Sequence, residues 1–287
     1  MPDQKAQKIT YFVKEATTCP ICETKFYREE LYSGGGRLVA GELTDELRRL
    51  YEPTQKYGEL FPLVYVISVC PECYYAAQPQ DFVSVTPDII EKINLDREKR
   101  RSTISLIFPQ LNFNEPRGLA EGIASYYLAV MSYEYFPPSL NPTFKRGLYS
   151  LRAAWLLQDM HSRFPGEHYD YVSRLFYRKA QFFYDRAYEL DISGDESLGE
   201  VRNFGPDTDK NYGYDGFLYL LCLLRYKYGQ RRNRENRIKS LEDSKRILSK
   251  VFGIGKASKA KPSVILEKAK VLFEKIGNEL KELGQEK

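Results

Sequence analysis

Residues 17–26 read TTCPICETKF and residues 68–77 read SVCPECYYAA. Both contain Cys-Pro-x-Cys, in a chain with five cysteines. A two-residue gap lets a tight turn aim both thiolates at one ion, and two such turns complete a tetrahedral four-sulfur site. Cys19, Cys22, Cys70 and Cys73 are therefore the candidate ligands of one structural zinc ion. The stretches leading into them, KITYFVKEATTC and PLVYVISVC, are rich in β-branched and aromatic residues, so each pair is expected to end a strand. A strand entering a Cys-Pro-x-Cys turn, twice over, predicts a zinc-ribbon-like module. The pairs lie farther apart than the roughly 15–20 residues of a compact ribbon, so the loop between them carries an insertion. The competing reading is redox, but a thioredoxin-like dithiol needs one Cys-x-x-Cys beside a βαβ pattern, and a second pair is superfluous there. A closed four-cysteine site leaves no position for water or substrate, so it holds structure rather than performing chemistry.

The insertion begins REELYSGGGRLVAGEL. No Lys-Ser/Thr follows Gly34, Gly35 and Gly36 to complete a phosphate-cradling loop, which leaves a flexible tip as the expectation. LTDELRRLYE (43–52) reads as a short helix capped by Thr44. TPDIIEKI (86–93) reads as another, with a Thr cap and Pro in the first turn. FPQLNFNEPRG then breaks the pattern and marks an expected boundary near 108–117. Beyond it, helical periodicity occupies 118–136, 143–161, 168–190, 214–229, 240–252 and 262–284. The expected fold is mainly α. A small zinc-ribbon-like α+β module at the amino terminus (1–110) precedes a TPR-like antiparallel helical array (117–287).

The repeat reading rests on small and large residues at helical spacing. Ala180, Tyr184 and Ala187 are four and three apart, as are Ser244, Leu248 and Val251; Leu221 and Cys222 precede Gly229 by eight and seven. At such positions the two helices of a tetratricopeptide (TPR) repeat approach closely, although ordinary helix packing produces the same spacing. Cys222 takes a small-residue position and is read as a core side chain.

CPIC, PLVYVISVCPECYYAAQPQDF, SLRAAWLLQD and DGFLYLLCLLRYKYG together resemble the bacterial family called domain of unknown function 2225. The resemblance spans about residues 17–252. It implies a double Cys-Pro-x-Cys zinc module with a TPR-like tail, acting as a scaffold, and implies no activity. One departure is Tyr74, where the family usually carries Gly.

Composition is 43% hydrophobic and 29% charged, with a mean hydropathy of −0.50. The longest apolar runs fall short of the ~20 residues that span a bilayer. The amino-terminal stretch has no signal-peptide pattern, so a cytoplasmic location is expected. The net charge of +4 hides an asymmetry, because residues 221–287 hold 18 Lys and Arg against 8 Asp and Glu. The excess centres on RYKYGQRRNRENRIK, the basic segment 225–239. Ser244 lies fifteen residues after Gly229 where a standard repeat has five, which reads as about ten inserted residues. Arg231, Arg232, Arg234 and Arg237 are thus either a solvated face or contacts to an acidic protein or nucleic acid.

Other constellations are weak. Asp207, Asp209, Asn211 and Asp215 alternate as in a calcium loop, but Leu218 stands where a bidentate Glu belongs, so a polar connector is expected. His161 and His168 bracket a Pro-Gly turn at no metal spacing and are read as helix-end residues capping carbonyls. No Walker loop, dinucleotide fingerprint or nucleophile elbow is present, and nothing recommends an enzyme. The function expected from sequence is a non-catalytic, zinc-stabilised scaffold presenting a groove to a peptide or helix of another protein. The alternative is a zinc-ribbon regulator that binds nucleic acid through the basic segment.

Overall fold

The computed structural model describes residues 8–32, 34, 36–252 and 263–285. Gly35, and residues 1–7 of the stretch read for a signal peptide, lie outside them. Strands occur only in the first eighty described positions, and each pairs antiparallel with a single partner. They are β1 (Thr10–Phe12) with β4 (Glu29–Leu31), β2 (Thr17–Thr18) with β3 (Lys25–Phe26), β5 (Val39–Leu43) with β6 (Arg49–Glu52), and β7 (Ser68–Val69) with β8 (Ala76–Ala77). Helices follow: α1 (Pro79–Phe82), α2 (Pro87–Leu95), α3 (Arg97–Ile107), α4 (Leu119–Ser132), α5 (Pro142–Arg163), α6 (Tyr169–Ser193), α7 (Gly213–Tyr228), α8 (Arg234–Phe252) and α9 (Ser263–Gln285). The chain is mainly α with a small amino-terminal strand region, as its periodicities predict.

Local chemistry sets the helix starts. The Gly118 N–H donates to Glu121 Oε2 at 3.0 Å and opens α4. Pro142 opens α5, where an outside carboxylate, Glu196, accepts from the Thr143 N–H at 2.9 Å. The expected small-large-small face on α6 is buried at Ala180, Tyr184 and Ala187. Opposite it Gly147 of α5 sits so close that an added Cβ would fall 2.8 Å from Tyr184 Cδ2, so the two long helices meet backbone to ring. Cys222, Ser244, Leu248 and Val251 are likewise buried, and Cys222 Sγ lies 3.5 Å from the Ser244 carbonyl oxygen.

Two expectations are corrected. LTDELRRLYE is no helix: 44–48 is the turn of the β5–β6 hairpin, with Thr44 Oγ1 accepting from the Arg48 N–H at 3.1 Å and Leu47 at φ 60°. Thr44 caps a turn instead of a helix because the side chains of Glu46, Leu47 and Arg48 are drawn into the helical array, which outweighs their helix propensity. The ten residues taken as inserted before Ser244 do not form a loop either. From Arg234 they are the first turns of α8, leaving only 229–233 as connector.

The expected boundary stretch 108–117 is exposed over most of its length but anchored at three buried residues. Phe108 and Phe113 are buried, Phe108 stacks on Tyr169 at 6.3 Å, and Phe113 meets Tyr74 edge-on at 5.7 Å. Arg117 is buried with its N–H donating to Glu29 Oε2 and its Nη1 to the Ile67 carbonyl, each at 2.7 Å. Burial pulls this guanidinium down to about 10. One buried apolar cluster runs from Cys19 and Phe26 through Val64 and Trp155 to Ile276, so the strand region and the array share a core.

The tightest point of that shared core is Gly122 of α4, where a Cβ would lie 2.7 Å from Val64 Cγ2 and 3.1 Å from Val64 Cα. Gly122→Ala is expected to cost about 1–3 kcal/mol by overpacking, read as a lower urea midpoint. An unchanged midpoint would mean the strand region does not bear on α4.

Candidate metal centre

Both cysteine pairs sit in the same local structure. Between β2 and β3 the Cys19 N–H donates to the Thr24 carbonyl, and the Glu23 N–H returns to the Cys19 carbonyl, each at 2.9 Å. Between β7 and β8 the Cys70 N–H donates to Tyr75 O at 2.9 Å, and the Tyr74 N–H to Cys70 O at 3.0 Å. The residue after each second cysteine is left-handed, Glu23 at φ 62° and Tyr74 at φ 56°. Glycine is the favourable residue in that conformation, and this chain carries Glu23 and Tyr74 instead. Tyr74 is held by its edge-on contact with Phe113 and by Arg101, 5.7 Å from its ring centre.

The two turns face each other and bring all four sulfurs within 4.8 Å of one another. Cys19 and Cys73 approach to 3.6 Å and Cys22 and Cys70 to 3.5 Å, far outside the ~2.05 Å of a disulfide. Cys19, Cys70 and Cys73 are buried and Cys22 is partly exposed. Hydrogen bonds from Cys19 and Cys73 pull the Cys70 thiol down to about 2, while the bond to Cys70 pushes Cys19 up to about 12 and Cys73 is raised by its contacts with Cys19 and Cys70. Four such groups take up negative charge together only around a cation. The cluster can hold a metal ion.

Sequence reasoning missed the residues that brace this centre. Arg100, buried in α3, donates through Nη2 to the Cys73 carbonyl at 3.2 Å and through Nη1 to the Ile93 carbonyl. Arg101 donates to the Glu72 carbonyl at 2.9 Å, and Arg97 pairs with the Glu72 carboxylate at 2.7 Å, so α3 clamps the second turn from above. DREKRR looks like a solvated charge run. The available signal was that Arg100 falls seven residues after Ile93 and four before Ile104, on the buried stripe of its helices. From the other side, Ser132 Oγ of α4 accepts from the Ala76 N–H at 3.4 Å and Tyr133 Oη from the Gln78 N–H at 3.2 Å.

A second convergence was also missed. The hairpin tip packs against α5, α6 and α7, where Glu46 accepts from Trp155 Nε1 (2.6 Å), Tyr177 Oη (2.7 Å) and Lys227 Nζ (2.9 Å). Arg48 pairs with Asp159 of α5, and Tyr219 Oη donates to the Asp45 carbonyl at 2.8 Å. Asp207 and Asp209 serve this docking: Asp207 accepts the Arg49 N–H at 2.8 Å and Asp209 accepts Arg49 Nε at 3.2 Å. Asn211 accepts from the Phe204 and Gly213 N–H groups, so that loop is a polar connector organised by its own backbone. His161 faces Asp170 at 4.0 Å, and His168 stands left-handed at φ 56° before α6, its carbonyl accepting from the Tyr171 N–H at 3.0 Å.

The four arginines expected to act together are separated by burial. Arg231 and Arg232 are exposed, with Arg231 donating to the Tyr226 carbonyl at 3.2 Å. Arg234 is exposed and tied to the Leu283 carbonyl of α9. Arg237 is only 2% exposed and is not a surface contact. It donates to Glu279 of α9 at 2.8 and 3.0 Å and to the Arg225 and Tyr226 carbonyls at 2.7 and 2.9 Å, capping the end of α7.

A paired-cysteine centre on short antiparallel strands, able to hold a metal ion and built into one core with a helical array, defines the class of protein. The chain belongs to the family described as uncharacterized protein conserved in bacteria (DUF2225), whose model matches residues 12–276. An uncharacterized protein of Borreliella burgdorferi is 45% identical over 278 residues, covering 96% of this chain and 99% of its own. No solved structure matches the chain.

Removing Arg237 strands the Glu279 carboxylate and leaves the α7 carbonyls uncapped. Arg237→Ser is expected to lower stability by about 3 kcal/mol, whereas the double change Arg231→Ser, Arg232→Ser should cost only ~0–1 kcal/mol. Equal effects in denaturant titrations would contradict the separation of the four arginines.

Proposed function

We propose that this protein is a non-catalytic adaptor. In this reading a zinc ion on Cys19, Cys22, Cys70 and Cys73 staples the strand region, and the TPR-like array offers its inner face to another protein. The metal assignment is supported by spacing. Tetrahedral Zn–S bonds of ~2.3 Å place sulfurs about 3.8 Å apart, within the range these four side chains already span. An all-sulfur donor set with no open position suits a structural ion. The four side chains would supply all of its ligands, Arg100 would hold the Cys73 backbone in place, and the ion would supply charge neutralisation and cross-linking.

The observation that carries the adaptor role is the inner face of α5–α7, which already receives a protein turn through side-chain-specific contacts at Trp155, Tyr177 and Lys227. Such a face suits a peptide partner. A cytoplasmic setting, where thiols stay reduced, agrees with zinc, and among the described residues no helix is long and apolar enough to cross a membrane.

Elemental analysis of protein purified without added metal is expected to give one zinc per chain, and markedly less for Cys70→Ser. Absence of zinc, or a ratio unaffected by that change, would end the metal assignment. Affinity capture from native extract is expected to retain a protein partner after nuclease treatment. Retention that depends on nucleic acid and falls steeply with salt would replace the adaptor by the nucleic-acid reading.

A further inference from the structure

The β5–β6 hairpin enters the array with its tip, and its stem joins no further strand. Among the described residues β5 and β6 form a sheet only with each other, and the foot of β6 is held where Arg49 donates its N–H to Asp207 and its Nε to Asp209. The stem shows Val39 and Leu50 to solvent at 40% and 37% exposure. A two-stranded hairpin is marginally stable in water by itself, so what orders this one is the docking of its tip together with the Arg49 contacts to Asp207 and Asp209. At the tip Glu46, Leu47 and Arg48 each meet the face of α5–α7, while exposed Asp45 pairs with Lys268 of α9 at 3.5 Å. The Glu46 carboxylate meets the three donors described above. Leu47 is completely buried beside Gly216 of α7. Arg48 reaches both carboxylate oxygens of Asp159, and its guanidinium stands 5.7 Å from the centre of the Trp155 ring. A pocketed leucine between an acid and an arginine, each with its own partner, is the arrangement a peptide-recognition face presents to a ligand.

The tip also sits in a face larger than itself. A cleft of about 480 Å³ lies on one side, between the tip, Trp155, Gln158 and Ser162. A second of about 190 Å³ lies on the other, against Leu156 and Phe61. Leu47 holds a left-handed backbone at φ 60°, unfavourable for a residue with a side chain. The metal-bearing turns reach the array separately, through α4 and Tyr133, so the hairpin has no share in holding them.

We propose that the inner face of α5–α7 is a recognition site for a turn with the side-chain order acid, leucine, arginine. Glu46, Leu47 and Arg48 occupy it as an internal ligand, and a partner protein carrying the same order displaces them. The proposal rests on the adaptor reading and names the chemistry of its partner.

The probe is a fluorescent, head-to-tail cyclised peptide of residues 42–50, titrated by anisotropy against the full chain. It is expected to bind the double variant Glu46→Ala, Leu47→Ser at least tenfold more tightly than the unaltered protein. Adding Asp159→Asn and Tyr177→Phe should abolish the gain. Equal affinity for both chains, or no binding to a double variant that keeps its metal and helical spectrum, overturns the proposal and leaves the tip a structural strut. Should the double variant lose its helical spectrum, hydrogen exchange in the unaltered protein decides. The hydrogen-bonded amides of Leu47, Arg48 and Arg49 are then expected to exchange at least tenfold faster than those of Leu151–Leu157 in α5. Equal rates mean the tip opens only when the whole chain unfolds, and the proposal fails. The two readings separate cleanly. Peptide binding with no protein captured would retire the adaptor and keep the site. A partner bound alike by both chains would keep the adaptor and retire the internal ligand.

Discussion

Four cysteine sulfurs drawn within 4.8 Å of one another impose the constraint on which the rest of the strand region depends. Two-residue strands cannot stand by themselves. The pairs β2–β3 and β7–β8 are little more than the flanks of two turns, and those turns face each other across the four sulfurs, which could share one metal ion. Once they face each other, Tyr75, Ala76 and Ala77 are carried into the core, and α3 closes over the second turn through Arg97, Arg100 and Arg101.

From there the strand region and the array are joined by buried polar contacts at several places, two of them far from the cysteine turns. Arg117 and Glu29 lock the entry to α4, with Val64 packed into the space that Gly122 leaves open. Glu46, some distance along the chain, inserts a carboxylate among Trp155, Tyr177 and Lys227. Buried charges of this kind add little net stability, but they penalise any arrangement that leaves one partner alone. They fix how the parts sit against each other, and the continuous apolar core supplies the driving force.

Much of this was legible before any coordinates. The facing of Cys19, Cys22, Cys70 and Cys73 follows from spacing, because a two-residue gap is a property of the turn itself. The helices follow from period, and 143–161 differs from α5 by only a few residues at its ends. The illegible parts share one cause, which is that distant residues decide them. Residues 43–52 carry a good helical pattern, yet become a hairpin because Leu47 and Glu46 find partners more than a hundred positions away. Arg237 looks like its exposed neighbours until Glu279 and the end of α7 surround it. Arg100 hides in a charge run although its phase on the helix matches the buried isoleucines. At 108–117 the Pro and Asn residues mark a break in helix, but nothing local shows that Phe108, Phe113 and Arg117 anchor that break in the core.

The central claim is that the cysteine centre and the helical array fold as one cooperative unit. Differential scanning calorimetry of the full chain, before and after treatment with a strong chelator, tests it most directly. The account predicts a single transition whose midpoint falls as metal is removed, with the helical signal lost in the same step. Two separate transitions, only the smaller of them sensitive to chelator, would contradict it.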